Sequence, residues 1–225
     1  MKNFNYQREI IFWLLLVIPF LVIAYVWDSL PQTIPVHFNI HGAADRWGGK
    51  WSIFMLPVIS IGTYLLMVFL PLIDPKRMDT ADFSSMFYKI RSIFVIFFSA
   101  VSLFIIYITI NGGIDRGAAH WIPVAIFLFL SVLGNFMINI KPNWFMGIRT
   151  PWTLSSDNVW RKTHQLMGRV WFYGGLVCAA LSFFAPDRIA DPLILVFVFG
   201  GVVLAFGYSF WLFRKEKSGT LSDHA

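Results

Sequence analysis

Charge is scarce in this sequence. Asp, Glu, Lys and Arg make up 13% of its 225 residues, while 57% are hydrophobic and 18% aromatic. Soluble globular chains carry roughly 25% charged residues, which cover a folded surface in water. The shortage here excludes a soluble enzyme and a disordered scaffold, and describes an integral membrane protein. Cysteine is nearly absent too: Cys178 stands alone, which excludes a disulfide framework and a cysteine-based zinc site. Its place in an apolar stretch suits a small buried hydrophobe. The net charge of +6 is gathered in no basic run with interleaved aromatics, so nucleic acid is not an expected partner.

Apolar runs are what the sequence has in abundance. Six stretches, 10–27, 53–73, 92–111, 119–140, 170–186 and 192–213, approach or reach the ~20 residues that a helix needs to cross a ~30 Å hydrocarbon layer. They predict an all-α, polytopic membrane protein with six transmembrane helices, a single integral domain over 1–225. The first follows Lys2 and Arg8 as a signal peptide would. It is too long for an h-region, however, and Ala24–Trp27 offers no small-x-small cleavage site. With the N-terminus inside, fourteen of the eighteen Lys and Arg residues fall on the inner side, so both termini are expected in the cytoplasm.

From 10–27, 53–73, 92–111, 121–140, 170–186 and 192–213 there is no Asp, Glu, Lys, Arg or His. Pumps and proton-coupled carriers need such groups inside the membrane, so their absence argues against a transporter. Ser131, Asn135 and Asn139 share one stripe of the fourth stretch, where hydrogen bonds to a neighbouring helix are the plainer role. Gly175 with Ala179, and Gly201 with Ala205, have the small-xxx-small spacing that suits close packing of the fifth and sixth helices.

No separate soluble domain fits between the spans, which leaves the loops at 28–52 (outside) and 141–169 (inside). The outer loop holds His37, His41 and Asp45 at spacings of four, with His120 at the outer end of the fourth stretch. Imidazole and carboxylate suit a divalent metal, and a metal-dependent membrane enzyme is the alternative this raises. Pro35, Gly42, Gly48 and Gly49 break any helix there, which strips the spacing of geometric meaning. The other reading is a tight partner-binding loop in which His37, Asn39 and Asp45 bond the backbone, Trp47 and Trp51 anchor at the interface, and Lys50 completes the surface. No cofactor is expected.

The inner loop is richer. Pro142 and Pro151 interrupt helix, Thr150 before Pro151 is biased to extended backbone, and Gly147 is free to take a positive φ. Ser155 or Ser156 is then expected to cap a new helix, with Asp157 in its first turn. On it Val159, Thr163, Leu166 and Val170 form a stripe beside Trp160, Met167 and Trp171. This predicts an amphipathic helix on the inner leaflet, running into the fifth span. Ser155, His164 and Asp157 invite a catalytic reading, but no nucleophile elbow accompanies them. The stronger expectation is a rigid platform of Arg149, Trp152, Trp160 and His164 near lipid headgroups or a protein partner.

The segment Gly147-Ile-Arg-Thr-Pro-Trp-Thr-Leu-Ser-Ser, followed by Val159-Trp160, Lys162-Thr163-His164 and Gly168, resembles the signature of the SdpI/YfhL family of bacterial immunity proteins. Ile34-Pro35, His37, Gly42, Asp45, Trp47, Gly48 and Lys50 resemble the small domain of unknown function that accompanies it. Asp157 stands where Glu is more usual, and His41 where Asn is common. The resemblance implies a six-helix bacterial cytoplasmic-membrane protein that protects its cell against a secreted toxic peptide. It further implies inward signalling by tethering a transcriptional repressor. His37, Asn39, Asp45, Trp47 and Lys50 would form the toxin-facing surface. Asn143, Gly147, Arg149, Thr150, Pro151, Trp152, Trp160, Thr163 and His164 would form the repressor-facing one.

Overall fold

The computed structural model describes residues 6–38, 44–74, 81–112, 121–185 and 187–222. They are mostly helical: α1 Tyr6–Val26, α2 Met55–Ile73, α3 Ala81–Ile110, α4 Trp121–Met137, the short α5 Pro151–Ser155, α6 Asp157–Phe184 and α7 Asp187–Ser222. Five of them (α1, α2, α3, α6 and α7) are long and apolar enough to cross a membrane. The remaining expected span, 119–140, is helical over the 17 residues of α4. It closes at a turn before an irregular segment.

By contacts the chain divides into two compact units, Met1–Ile73 with Asp79–Ile122, and Asp74–Met78 with Pro123–Ala225. In the first, α1, α2 and α3 pack on one another. Phe12, Leu16, Tyr64 and Val95 form one buried cluster. In α3, Ser102 Oγ and Thr109 Oγ1 are absorbed by their own helix, each donating to the carbonyl four residues back at 2.7 Å.

The loop at 28–52 is more ordered than its prolines and glycines suggest. Strands β1 (Thr33–Phe38) and β2 (Ala44–Gly49) pair as an antiparallel ribbon, a β element within an otherwise helical fold. The strand signal is hidden because the register slips twice. Pro35 faces Trp47 and His37 faces Arg46, leaving Val36 as an extra residue; Phe38 then faces Ala44, leaving Asp45 extra. Pro35 is tolerated because both strands of a two-stranded ribbon are edges. An isolated ribbon is marginal in water. Ile34 secures this one, buried with Ile23, Leu30, Ile53 and Ile106.

In the second unit, α4 and α6 cross with their backbones nearly touching. A Cβ added to Gly134 would lie 2.6 Å from the Phe172 nitrogen, and one on Gly168 would lie 2.7 Å from the Gly134 carbonyl oxygen. Ser131 Oγ donates to the Phe172 carbonyl at 2.8 Å across the same seam. Asn135 and Asn139, expected on the same stripe, are exposed. Gly175 meets Phe127 and Ser131 of α4, whereas Gly201 lies against Trp171. The two small-residue pairs thus serve different seams, where the spacing alone suggested one. Absence of side-chain bulk, with no water to drive association, is what lets helices approach this closely in a membrane.

The amphipathic stretch and the fifth span prove to be one continuous helix, α6, of 28 residues. A separate surface helix is not seen because nothing between Asp157 and Phe184 interrupts the backbone ladder. Of its three glycines, Gly168 and Gly175 are pinned in the α4 seam and Gly174 lies against Phe197. The buried side of α6 includes Trp160, His164 and Met167, whereas the expected stripe members Leu166 and Val170 are only half-buried.

Candidate functional site

Two structured regions carry the polar chemistry, one in each unit. In the ribbon, the paired bulges bring His37 and Asp45 together, with 2.5 Å between Nδ1 and Oδ1. Both are exposed, as are Arg46, Trp47 (59%) and Trp51 (73%). Lys50 turns back: its ammonium sits 4.4 Å from the centre of the Trp27 ring, and Trp27, Trp51 and Phe54 contact one another. The ribbon therefore presents an imidazole–carboxylate pair beside exposed indoles on an aromatic base. Asn39, His41 and His120 lie outside the described residues. Among the described residues no three metal-ligating side chains come together.

The second region, 139–168, is held by side chains that bond backbone. Asn143 uses its whole amide. Oδ1 accepts from the N–H groups of Phe145 (2.9 Å) and Met146 (2.6 Å), and Nδ2 donates to the carbonyls of Lys141 (2.9 Å) and Met146 (3.0 Å). Asp74 accepts from the Trp144 N–H at 3.1 Å. Gly147 has φ +106°, and a Cβ there would collide with the His164 ring. The imidazole stacks on Trp160, ring centres 4.2 Å apart. Its Nε2 accepts from the Ile148 N–H and its Nδ1 donates to the Trp160 carbonyl, both at 2.8 Å. It is thus neutral, protonated on Nδ1. Trp160 Nε1 donates to the Ile140 carbonyl at 3.0 Å.

Thr150 and Thr153 cap α5 reciprocally: the Thr153 N–H donates to Thr150 Oγ1 at 3.1 Å and the Thr150 N–H to Thr153 Oγ1 at 2.9 Å. Pro151 opens the helix, where its missing N–H costs nothing. Ser156 caps α6 through the Val159 N–H, with Asp157 in the first turn, as expected. Two further bonds join this region to α7: Thr150 Oγ1 to Ser209 Oγ at 3.1 Å, and Ser156 Oγ to Glu216 Oε2 at 2.9 Å. Trp152 packs its ring on Phe206 and Phe210.

The residues expected to form the platform divide between surface and interior. Arg149, Gly147 and Pro151 are exposed and Trp152 is half-buried. Asn143, Thr150, Trp160, Thr163 and His164 are at most 1% exposed. These five shape the surface from beneath and cannot contact a partner directly, because the region is folded around them. Neither nitrogen of His164 is left to activate Ser155, whose hydroxyl donates to the Pro151 carbonyl. The reciprocal threonine cap was legible as Thr-Pro-x-Thr; Asp74, Ser209 and Glu216 carried no local signal. Asn143→Ala is expected to strip four backbone groups of partners and lower stability by about 1–3 kcal/mol. A thermal unfolding midpoint unchanged from the unaltered protein would contradict this role for Asn143.

The first unit contains a cluster that sequence reasoning missed. Glu9 and Arg91 flank the apolar stretches, yet both are buried, at 4% and 7% exposure. They form an ion pair, and Tyr64 donates to the other Glu9 oxygen at 2.6 Å. The rings of Phe12, Tyr64 and Tyr88 surround the guanidinium.

Apolar helices with most of their polar chemistry gathered in a ribbon and a platform define a multi-pass membrane protein. Residues 139–210 match the SdpI/YfhL protein family, and residues 14–61 match a domain of unknown function, DUF1648. The chain is 24% identical over 209 residues to the immunity protein SdpI of Bacillus subtilis (strain 168), covering 93% of this chain and 97% of that protein. No solved structure matches the chain.

Proposed function

We propose that this chain is a non-enzymatic immunity protein that protects a bacterial cell against a secreted toxic peptide. The observation that carries this is the similarity to an immunity protein along nearly the whole of both chains. The charge distribution supports placing the protein in the cytoplasmic membrane with both termini inside. In that frame the ribbon faces outward and the platform inward. Exposed Trp47 and Trp51 beside Arg46 and the His37–Asp45 pair offer a peptide both aromatic anchors and charge. The platform is the matching inner surface for a transcriptional repressor, with Arg149 and Trp152 as its accessible contacts.

Expression in a peptide-sensitive bacterium, followed by challenge, tests this reading. Survival is expected to rise, and the Trp47→Ala, His37→Ala double variant is expected to lose most of that gain at unchanged membrane abundance. Killing that proceeds equally with and without the protein, across a panel of secreted membrane-active peptides, would defeat the proposal. Full protection by the double variant would remove the ribbon as the contact.

A further inference from the structure

The platform end of the second unit is strongly basic. Segments 139–169 and 209–222 together hold eight Lys and Arg against two acidic residues. Arg149, Arg161, Lys162, Arg214, Lys215 and Lys217 are all exposed. They sit on a braced scaffold: the Thr150–Ser209 and Ser156–Glu216 bonds tie the platform to the second half of α7. At that end of α7, the Lys215 ammonium lies 5.3 Å from the Trp211 ring centre and that of Lys217 lies 5.0 Å from Phe213. Trp211 and Trp144 are themselves exposed.

The order along α7 decides what such a surface meets. An apolar run over 192–213 ends directly at Arg214, so the cations begin where hydrocarbon ends. Lysine stems lying over aromatic rings, with tryptophans at the same level, are the arrangement of the headgroup layer. We infer that this face binds the phosphates of anionic phospholipids in the adjoining leaflet. Arg149 is shared with the repressor surface proposed above; for the cations around it, on α6 and at the end of α7, the exposed indoles and the abrupt apolar boundary match lipid.

The full-length protein, reconstituted in nanodiscs of equal parts phosphatidylglycerol and phosphatidylcholine, provides the test by mass spectrometry of the lipids it retains after extraction. Phosphatidylglycerol is expected to be retained about tenfold over phosphatidylcholine, the preference weakening as salt rises. Neutralising Arg149, Arg161, Lys162, Arg214 and Lys215 together to Gln should abolish the preference, while Arg149→Lys with Lys162→Arg should keep it. Equal retention of the two lipids by the unaltered protein would overturn the inference, whether or not the neutralised variant can be purified. So would an unchanged preference in the neutralised variant. Loss of a bound acidic protein from that variant in cells, with lipid preference intact, would assign the face to protein and equally overturn it.

Discussion

Glu9→Gln should be among the most damaging single substitutions in this protein, lowering its stability by about 3–5 kcal/mol. The pair it breaks is buried on both sides, and three rings close around Arg91, leaving its guanidinium no water to turn to. Glutamine keeps the shape and can still accept from Tyr64, but it cannot neutralise the cation. The loss comes mainly from stranding a buried charge, since an ion pair taken out of water gains little over a well-packed apolar pair. The double variant Glu9→Gln, Arg91→Met should therefore recover much of the deficit. Tyr64→Phe, which removes one hydrogen bond to a charged acceptor, should cost roughly 1.5–3 kcal/mol. Unfolding midpoints of the unaltered protein, Glu9→Gln, Arg91→Met and the double variant, read as a double-mutant cycle, check the pair, and that of Tyr64→Phe checks the hydrogen bond. Strictly additive effects of the Glu9 and Arg91 changes would rule out the coupling.

Gly168→Val is expected to prevent the second unit from assembling. The added Cβ alone would lie 2.7 Å from the Gly134 carbonyl oxygen and 2.8 Å from the Ile138 nitrogen. Those are backbone atoms of α4 and of the turn that closes it, so the strain has no rotamer to escape into. Overpacking a core with side chains that can shift already costs about 1–3 kcal/mol. A clash of backbone against backbone should exceed that and separate the helices, taking the Ser131–Phe172 bond with it. Gly207→Ala is the matched control, because nothing lies within 4 Å of its added Cβ. Membrane abundance and protease resistance should collapse for the first and hold for the second. A stable Gly168→Val protein would show that the seam tolerates separation.

What could be read in advance was local. Apolar runs marked the middle of each long helix but not its ends: α3 and α6 begin 11 and 13 residues before their runs, and α7 continues 9 residues past its own. The Ser156 cap, Asp157 in the first turn and the positive φ of Gly147 followed from rules that act over one turn. The ribbon escaped because two bulges broke the alternation that announces a strand. Glu9 and Arg91 escaped because each sits at the border of an apolar run, where a charge is ordinarily assigned to water. Their pairing spans 82 positions and appears only when α1 and α3 pack. His164 was read as a chemically available group; its burial follows from the Trp160 stack and the two backbone bonds that consume its nitrogens. The family resemblance was carried by the loop motifs, while the buried pair that braces the first unit lies outside them.

The two side-chain bonds from the platform to α7 impose an order of assembly. Asn143, the threonine cap, and the His164 and Trp160 bonds all close within the stretch from Ile140 to His164, so they can form as soon as that stretch is synthesised. Ser209 and Glu216 arrive only with the final helix. Until translation has passed Glu216, the platform is shaped but not latched, and insertion of the last helix completes it.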